Sequence, residues 1–498
     1  MTAQGFFPDT LSGGGTALLA VLVPLAGTLF IRAFRSHPNL REAATLVTAG
    51  VLFLLVLSLW PEVTAGGRPG ITLMEPLPGL PLRLEVEPLG LLFALVASSL
   101  WIVTSLYSIG YMRGHREGHQ TRFYIFFAIA IASTMGVAFS GNLFTLFLFY
   151  EALTLCTFPL VTHHQTEAAK RAGRIYLGIL LSTSIGLQLL AIIWTYSLTG
   201  TLDFREGGIL PDARVSGGVV TLLLTLYVFG VGKAAVMPFH RWLPAAMVAP
   251  TPVSALLHAV AVVKAGVFTI LKISVYLFGW ELITETGAAT ELVWVAAVTI
   301  IGASLIAFTK DNLKARLAYS TVSQLSYIVL GALLANEMGI VGGGMHIAMH
   351  AFGKITLFFA AGAIMVASHK TEISQMNGLG RTMPITFGAF FLGSLSIIGL
   401  PPAGGAWSKW FLGLGTLEAG EMGLLAVLML SSLLSLVYLL EVPVKAFFLP
   451  PDEPPEHEGI HEAPLPAVLA LSITALATVA LFFYPKPFYD LMTLVVGP

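Results

Sequence analysis

The stretch LYVFGVGKAAVMPFHRWLPAAMVAPTPVSALLHAVAVVKAGV, residues 226–267, decides how this chain folds. It consists of two apolar runs joined by a proline-rich corner, and each run carries one lysine, Lys233 and Lys264. A lysine at the centre of a lipid-facing helix costs about 3 kcal/mol on insertion scales. We therefore interpret the two runs as membrane helices whose lysines face the interior of the protein and carry a function.

The composition is that of a polytopic membrane protein. Of the 498 residues, 56% are hydrophobic and only 11% are charged, with a mean hydropathy of +0.83, whereas soluble domains have about 25% charged residues. A net charge of -1 gives no electrostatic basis for binding nucleic acid. The single cysteine, Cys156, excludes a disulfide within the chain and any cysteine-based metal or iron–sulfur site. We expect neither a bound cofactor nor a metal.

Runs of about 20 apolar residues, the length that spans a bilayer, recur along the whole chain. They predict an all-α polytopic membrane protein with about fourteen transmembrane helices. The first run is not preceded by a basic region or followed by a small-residue cleavage site, so we expect a retained helix and not a signal peptide. The predicted spans lie near 16–33, 42–60, 88–110, 123–140, 143–161, 175–197, 218–237, 253–277, 292–308, 317–335, 339–367, 384–412, 422–443 and 464–484.

The lysines and arginines of the loops predict the orientation. Alternate loops hold about sixteen of these residues and the intervening loops about five. Because basic loops favour the cytoplasm, we expect a multi-pass protein of the cell (inner) membrane with both termini outside. The acidic, proline-rich segment 450–464 is predicted to be a solvated loop on the inner side, where a partner can contact it.

Few ionisable residues fall inside the predicted spans. Glu151 lies in an otherwise uncharged helix, where a carboxylate either stays protonated or meets a cation. Lys233 is its natural partner, and Gly230, Gly232 and Pro238 around that lysine favour a broken helix. The alternative is a static ion pair that joins two helices. Buried pairs add little stability compared with apolar packing, so we favour a role in proton transfer.

A second group of ionisable residues lies in GGGMHIAMHAFGKITLFF. The spacing of His346, His350 and Lys354, at i, i+4 and i+8, places them along one helical face over about 12 Å. Imidazole titrates near neutrality, which suits a proton-transfer path. Metal ligation is the rival interpretation, but the two histidines lack a third ligand nearby. His258, in an earlier span, is either a relay group or a hydrogen-bonded core histidine.

The stretch SIIGLPPAGGAWSKWFLGLG repeats the pattern of the first one, because Lys409 follows two prolines and a glycine pair. The interval from Lys233 to the lysine of the next span nearly equals that from Lys409 to Glu441. These similarities suggest two five-helix repeats of inverted topology. Glu441 has Lys445 at i+4 as a partner, and Lys272 is close enough to the outer end of its span to reach water.

Four separated motifs carry a resemblance to a known family: KAAVMPFHRWLPAAMVAPTPVSALLHAVAVVKAGVF, LAYSTVSQLSY, MHAFGKITLFFAAG and GLPPAGGAWSKW. In order and over nearly the whole chain they resemble the antiporter-like membrane subunits of respiratory complex I, membrane-bound hydrogenases and multi-subunit (Mrp-type) sodium/proton antiporters. The resemblance implies fourteen helices, two inverted five-helix repeats and broken seventh and twelfth helices. The expected divisions are an N-terminal three-helix segment, the two repeats and a C-terminal helix, at 1–122, 123–277, 292–447 and 464–498. The proton path that it implies falls on Glu151, Lys233, His258, Lys264, His346, His350, Lys354 and Lys409.

The lysine on the twelfth span and the wording of HAVAVVKAGVF and AWSKW look closest to the MrpD type within this family. We therefore expect a proton-translocating subunit of a multi-subunit monovalent cation/proton antiporter, which exchanges protons for sodium or potassium beside other membrane subunits. One alternative is a proton-pumping subunit of an NADH:quinone oxidoreductase or membrane-bound hydrogenase complex. Others are a proton-coupled subunit of a bicarbonate uptake system and a purely structural membrane scaffold.

Overall fold

The computed structural model describes residues 13–451 and 459–497. Most of the acidic segment 450–464, with its predicted partner contact, and the side chain of His258 lie outside the described residues. The main helices in chain order are α1 (Gly13–Ala33), α2 (Pro38–Ser58), α3 (Pro88–Gly114), α4 (Gln120–Ala138), α5 (Leu143–Val161), α6 (Glu167–Thr199), α7 (Gly217–Gly230), α8 (Val262–Phe278), α9 (Thr290–Phe308), α10 (Leu313–Leu334), α11 (Glu337–Ser368), α12 (Pro384–Ile398), α13 (Gly405–Glu418), α14 (Met422–Phe448), α15 (Leu465–Phe483) and α16 (Lys486–Val496).

The predicted multi-pass helical architecture is confirmed. Within the described residues, eleven helices are long and apolar enough to cross a membrane. They become up to twelve if α8 and the following Trp280–Thr286, bent by 79° against each other, count as one span. The helices α7 and α12 are apolar but shorter, and they lie where the seventh and twelfth spans were expected. The number of fourteen spans stays a prediction.

One element was not predicted. Between α2 and α3 the chain forms an antiparallel hairpin of β1 (Gly70–Leu77) and β2 (Leu80–Glu85). The tight turn between the strands passes through Gly79, which has a φ of 78° that few other residues adopt. Since the search was for runs of about 20 apolar residues, these two short strands were assigned to a loop.

Both predicted helix breaks are present. The helix α7 ends at Gly230, and a single 3₁₀ turn, Gly232–Ala234, follows before the chain turns into the proline-rich corner. The helix α12 ends before Gly399, whose φ is 91°, and α13 begins six residues later, at Gly405. Backbone groups near each break lack their helical partners, so they are available to polar side chains inside the bundle.

The centre of the bundle is formed by α8, α10 and α11. Every residue of α8 is buried, and 94% of the most apolar window of α10 is buried inside the protein. The peripheral helices α2 and α14 have only 33% of their windows buried, and they present leucine and phenylalanine side chains outward. A side chain on α8, α10 or α11 is therefore shielded by a further layer of helices.

The contact between α12 and α13 leaves no room for a larger residue at Gly405. A Cβ atom there would lie 1.8 Å from the carbonyl oxygen of Ser396. We expect Gly405→Ala to lower the free energy of unfolding by about 1–3 kcal/mol, the usual cost of overpacking. Gly388→Ala is the matched control, because nothing lies within 4 Å of its Cβ position on α12. Thermal unfolding in detergent measures both, and an unchanged transition in Gly405→Ala would contradict the assigned packing.

Candidate functional site

Lys233 lies in the first helix break and is fully buried. Its Nζ donates hydrogen bonds to the backbone oxygen of Tyr150 (2.8 Å) and to Oγ1 of Thr154 (2.5 Å), both on α5. The same Nζ lies 3.1 Å from the centroid of the Tyr150 ring, which favours a cation electrostatically. The break in α7 thus brings the ammonium into a set of neutral dipoles on the neighbouring helix.

The predicted ion pair between Glu151 and Lys233 is not formed in this structure. Among the described residues, no carboxylate oxygen lies within 4.0 Å of the lysine Nζ, and Oε1 of Glu151 is buried without a hydrogen-bond partner. The reason is positional, since the carbonyl of Tyr150 and the hydroxyl of Thr154 occupy the donors of the ammonium. Glu151 is nevertheless adjacent in sequence to Tyr150, on the same helix.

Lys264 lies on α8 at the centre of the bundle. Its Nζ is 2.6 Å from Nδ1 of His350 on α11, and both side chains are buried. Two residues after the lysine, a Cβ at Gly266 would lie 2.4 Å from the backbone of Lys233. The absence of a side chain at Gly266 therefore allows α8 to pack directly on the first break, which places Lys264 between that break and α11.

The three residues that were predicted to share a face of α11 all point into the bundle and are buried. The rings of His346 and His350 have centroids 5.7 Å apart. Both nitrogens of His346 are hydrogen-bonded, Nδ1 to Oγ of Ser408 (2.8 Å) and Nε2 to Oε1 of Gln324 (3.1 Å). This imidazole therefore joins α10, α11 and α13 through polar contacts.

Lys409 lies in the second turn of α13 and reaches back to the second break. Its Nζ donates to the backbone oxygen of Ile398 (3.1 Å), the last residue of α12, and to Oγ of Ser432 (3.0 Å). It also lies 4.6 Å from the centroid of the Tyr327 ring, and that ring stacks on His346 with centroids 5.7 Å apart. The carbonyls at the end of a helix carry partial negative charge, so the break supplies an acceptor for the ammonium.

Lys354 begins a second series of contacts. Its Nζ donates to Oγ of Ser320 (2.8 Å), which also accepts a hydrogen bond from the hydroxyl of Tyr438 (3.0 Å). The backbone oxygen of Tyr438 accepts from Arg316 (2.8 Å), which pairs with Glu441 (2.6 Å). Glu441 also pairs with Lys445 at 2.8 Å, the i+4 contact expected from the sequence.

Two features of the site were missed in the sequence. Lys272 does not extend to water as expected, because it is fully buried and forms an ion pair of 3.1 Å with Glu87. The pairing was not visible because Glu87 lies just before the third span and precedes Lys272 by many residues. The polar partners on α10 had a usable signal, since Ser320, Gln324 and Tyr327 are spaced i, i+4 and i+7 along one face.

Within residues 13–451 and 459–497, no group of three or more histidine, cysteine, aspartate or glutamate side chains is placed to hold a metal ion. The nearest approach to such a group is a cluster in the loops after α3 and α5. There Nε2 of His164 lies 3.2 Å from both carboxylate oxygens of Glu117, and His115 and His163 lie within 4.0 Å.

This loop cluster has shifted protonation equilibria. Partial burial opposes ionisation of Glu117, but the hydrogen bond from His164 and the nearby imidazoles outweigh it and lower the pKa of the carboxyl. The same hydrogen bond raises the pKa of His164. Burial, assisted by Arg122, lowers the pKa of His163 to about 4, so that ring is neutral at physiological pH.

Comparison with known proteins gives consistent matches. Residues 140–435 match the family described as NADH:quinone oxidoreductase/Mrp antiporter, TM. The chain is 35% identical to NADH-quinone oxidoreductase subunit N of Desulforudis audaxviator (strain MP104C) over 374 residues, 74% of this chain and 73% of that protein. It is 33% identical to a protein of Rhizobium meliloti (strain 1021) named as the A/B subunit of a probable K(+)/H(+) antiporter, covering 78% of this chain and 38% of that protein.

A solved structure shares the fold over nearly the full length. The chain superposes on a chain of the Mrp complex from Dietzia sp. DQ12-45-1b with a TM-score of 0.84, 21% identity and 97% coverage of both chains. The chain spans between 38% and 53% of the length of several other curated relatives that it matches.

The contact between His164 and Glu117 should depend on pH. The contribution of His164 is fully present below its ordinary pKa of 6.5 and is lost as the pH rises through its raised pKa, while Glu117 stays ionised. We therefore expect loops 115–119 and 162–166 to exchange backbone hydrogens faster, after correction for intrinsic rates, between about pH 6 and about pH 9. His164→Gln should abolish this step and His119→Gln should keep it. A step that persists in His164→Gln would contradict the assignment.

Proposed function

The chain belongs to the NADH:quinone oxidoreductase/Mrp antiporter transmembrane family, and on this premise we propose that it conducts protons through its interior lysines and histidines. We propose further that it does so as one membrane subunit of a multi-subunit monovalent cation/proton antiporter. The residues to which we assign the proton path are those expected from the sequence: Glu151, Lys233, His258, Lys264, His346, His350, Lys354 and Lys409.

One observation carries the proposal, an unbroken series of contacts across the centre of the bundle. Lys264 contacts His350, His350 lies beside His346, and the Tyr327 ring lies between His346 and Lys409. Ring centroids 5.7 Å apart are separated by a distance that a bridging water spans. Groups of this kind are costly inside a membrane protein and mark ion or proton pathways. A scaffold without transport would gain more from apolar side chains at these positions.

The first half of the path begins at Lys233. When the carboxylate of Glu151 approaches, it stabilises the charged form of this lysine. When a neighbouring membrane protein of the complex draws that carboxylate away, the buried ammonium is held only by neutral dipoles and releases its proton toward Lys264. From Lys264 the proton passes to His350 and His346, and then to Lys409 at the second break.

The two breaks hold their lysines in the same way, which supports the two repeats at 123–277 and 292–447. Lys233 has a carbonyl, a hydroxyl and the ring of Tyr150 around its Nζ, and Lys409 has a carbonyl, a hydroxyl and the ring of Tyr327. The two tyrosines lie on α5 and α10, five spans apart, as do the two breaks. Residues 1–122 and 464–498 flank the repeats in this proposal.

The antiporter assignment is supported by the similarity to a protein named as part of a K(+)/H(+) antiporter and by the fold shared with a chain of an Mrp complex. The second candidate is a proton-pumping subunit of an NADH:quinone oxidoreductase complex, which is favoured by the 35% identity to subunit N. We place the protein in the cell (inner) membrane with both termini outside. Copurification separates the candidates, because only the second requires partner subunits that carry iron–sulfur clusters or flavin.

The proton path makes Lys233→Ala and Glu151→Gln the first variants to measure. In inverted vesicles that carry the complete complex, we expect each to reduce coupled proton transport roughly a hundredfold, because each removes a group that binds or releases the proton. Lys170→Ala is the matched control, since that lysine is exposed and pairs only with Glu167. Full coupled transport in both variants, at normal amounts of assembled complex, would refute the path.

A further inference from the structure

The ion pair of Lys272 and Glu87 is not part of the path described above. Both side chains are almost completely buried, and their Nζ and Oε1 atoms are 3.1 Å apart. The lysine also donates to the backbone oxygen of Ser140 (2.8 Å), and the hydroxyl of Tyr276 donates to the second carboxylate oxygen of Glu87 (3.1 Å). These donors and acceptors are thus provided by α3, α8 and the end of α4.

Helix capping explains only part of this arrangement. Glu87 accepts hydrogen bonds from the backbone nitrogens of Leu89 and Gly90 at the start of α3. A serine or asparagine at this position would cap the helix without a charge. Burying a charged pair is often no better for stability than burying apolar residues of similar size. The lysine therefore needs another explanation than the stability of α3.

Lys272 lies two turns after Lys264 on the same helix. Phe268 is placed between them, 5.3 Å from the Nζ of Lys272 measured to the ring centroid, and it packs on Phe93 with centroids 4.9 Å apart. The two phenylalanines form an apolar layer between the two lysines. This is the arrangement of a proton site separated from its neighbour by a movable ring.

On its other side the pair approaches the surface opposite the basic loops. The guanidinium of Arg68 lies 5.4 Å above the ring of Tyr276, and Arg68 also pairs with Glu206. A surface recess of about 240 Å³ is lined by Arg68, Pro88, Glu206, Val275, Trp280 and Glu281. Pro88 and Val275 are the chain neighbours of Glu87 and Tyr276, so the recess begins beside the buried pair.

We propose that Lys272 and Glu87 form a proton-exchange site through which the first half of the chain communicates with this recess. This inference rests on the proposed function, since it takes Lys264 as the proton donor. The ammonium of Lys272 gives its proton to Glu87, which leaves a neutral amine and a neutral carboxyl group. Glu87 releases that proton to water in the recess. The amine of Lys272 then accepts a proton from Lys264 when the Phe268 ring turns aside, which restores the starting pair.

The experiment compares single and double neutralisation in the complete complex. Lys272→Met or Glu87→Gln alone leaves one buried charge unpaired and should reduce the amount of assembled complex. The double variant contains no unpaired charge and should assemble better than either single variant. Coupled proton transport per assembled complex in inverted vesicles should nevertheless fall roughly a hundredfold in the double variant. Transport at the wild-type rate in that variant would overturn the proposal.

Lys272→Arg provides a second, independent test. Arginine keeps the positive charge and the ion pair but does not release its proton in a protein. A merely structural pair would tolerate this change, so wild-type transport in Lys272→Arg would also overturn the proposal, whereas a loss like that of the double variant is the expected result. Lys264→Met is measured in parallel. If Lys264→Met retains full transport, the proposed function itself fails, and this outcome differs from one in which only the variants at 87 and 272 retain transport.

Discussion

The structure depends on how interior ammonium groups are stabilised without carboxylates. Within the described residues, Lys233, Lys264, Lys354 and Lys409 have no carboxylate oxygen within 4.0 Å, and each is held by carbonyl, hydroxyl, imidazole or aromatic groups. An isolated charge in a low-dielectric interior is costly, and neutral dipoles offset this cost only in part. Such lysines can change their protonation state at a small energetic cost, which a lysine held by a carboxylate cannot. The broken helices, the close contact at Gly266 and the hydroxyl groups of α10 all serve this requirement.

The difference between Lys272 and these four lysines is therefore informative. In the part of the chain that the structure describes, Lys272 is the only one of the five with a carboxylate partner, and that partner also caps α3. At the opposite side of the bundle, Glu441 pairs with Arg316 and Lys445 and is linked to Lys354 through Tyr438 and Ser320. Ion pairs thus lie toward the two surfaces and neutral contacts lie in the centre. A proton would be held most firmly where it enters or leaves and most weakly where it must move.

The sequence alone predicted the helical class, both helix breaks and the common face of His346, His350 and Lys354. These features follow from hydropathy, from proline and glycine, and from helical spacing, which are all local in the chain. The partners of the lysines could not be predicted in the same way. Thr154, Ser408 and Ser432 have no distinguishing pattern, and Glu87 meets Lys272 only because α3 and α8 pack together. The Glu151–Lys233 pair shows the limit most clearly, since both residues are near each other but the ammonium binds a carbonyl and a hydroxyl instead.

The central claim is that protons pass laterally through the imidazoles of α11, and His346 is the point at which the contacts of Lys264 and those of Lys409 meet. Phenylalanine at this position keeps a ring against Tyr327 and removes both nitrogens. The direct measurement is coupled proton transport by the complete complex carrying His346→Phe, expressed per assembled complex in inverted vesicles. The account predicts loss of transport with normal assembly. Transport at the wild-type rate would contradict it.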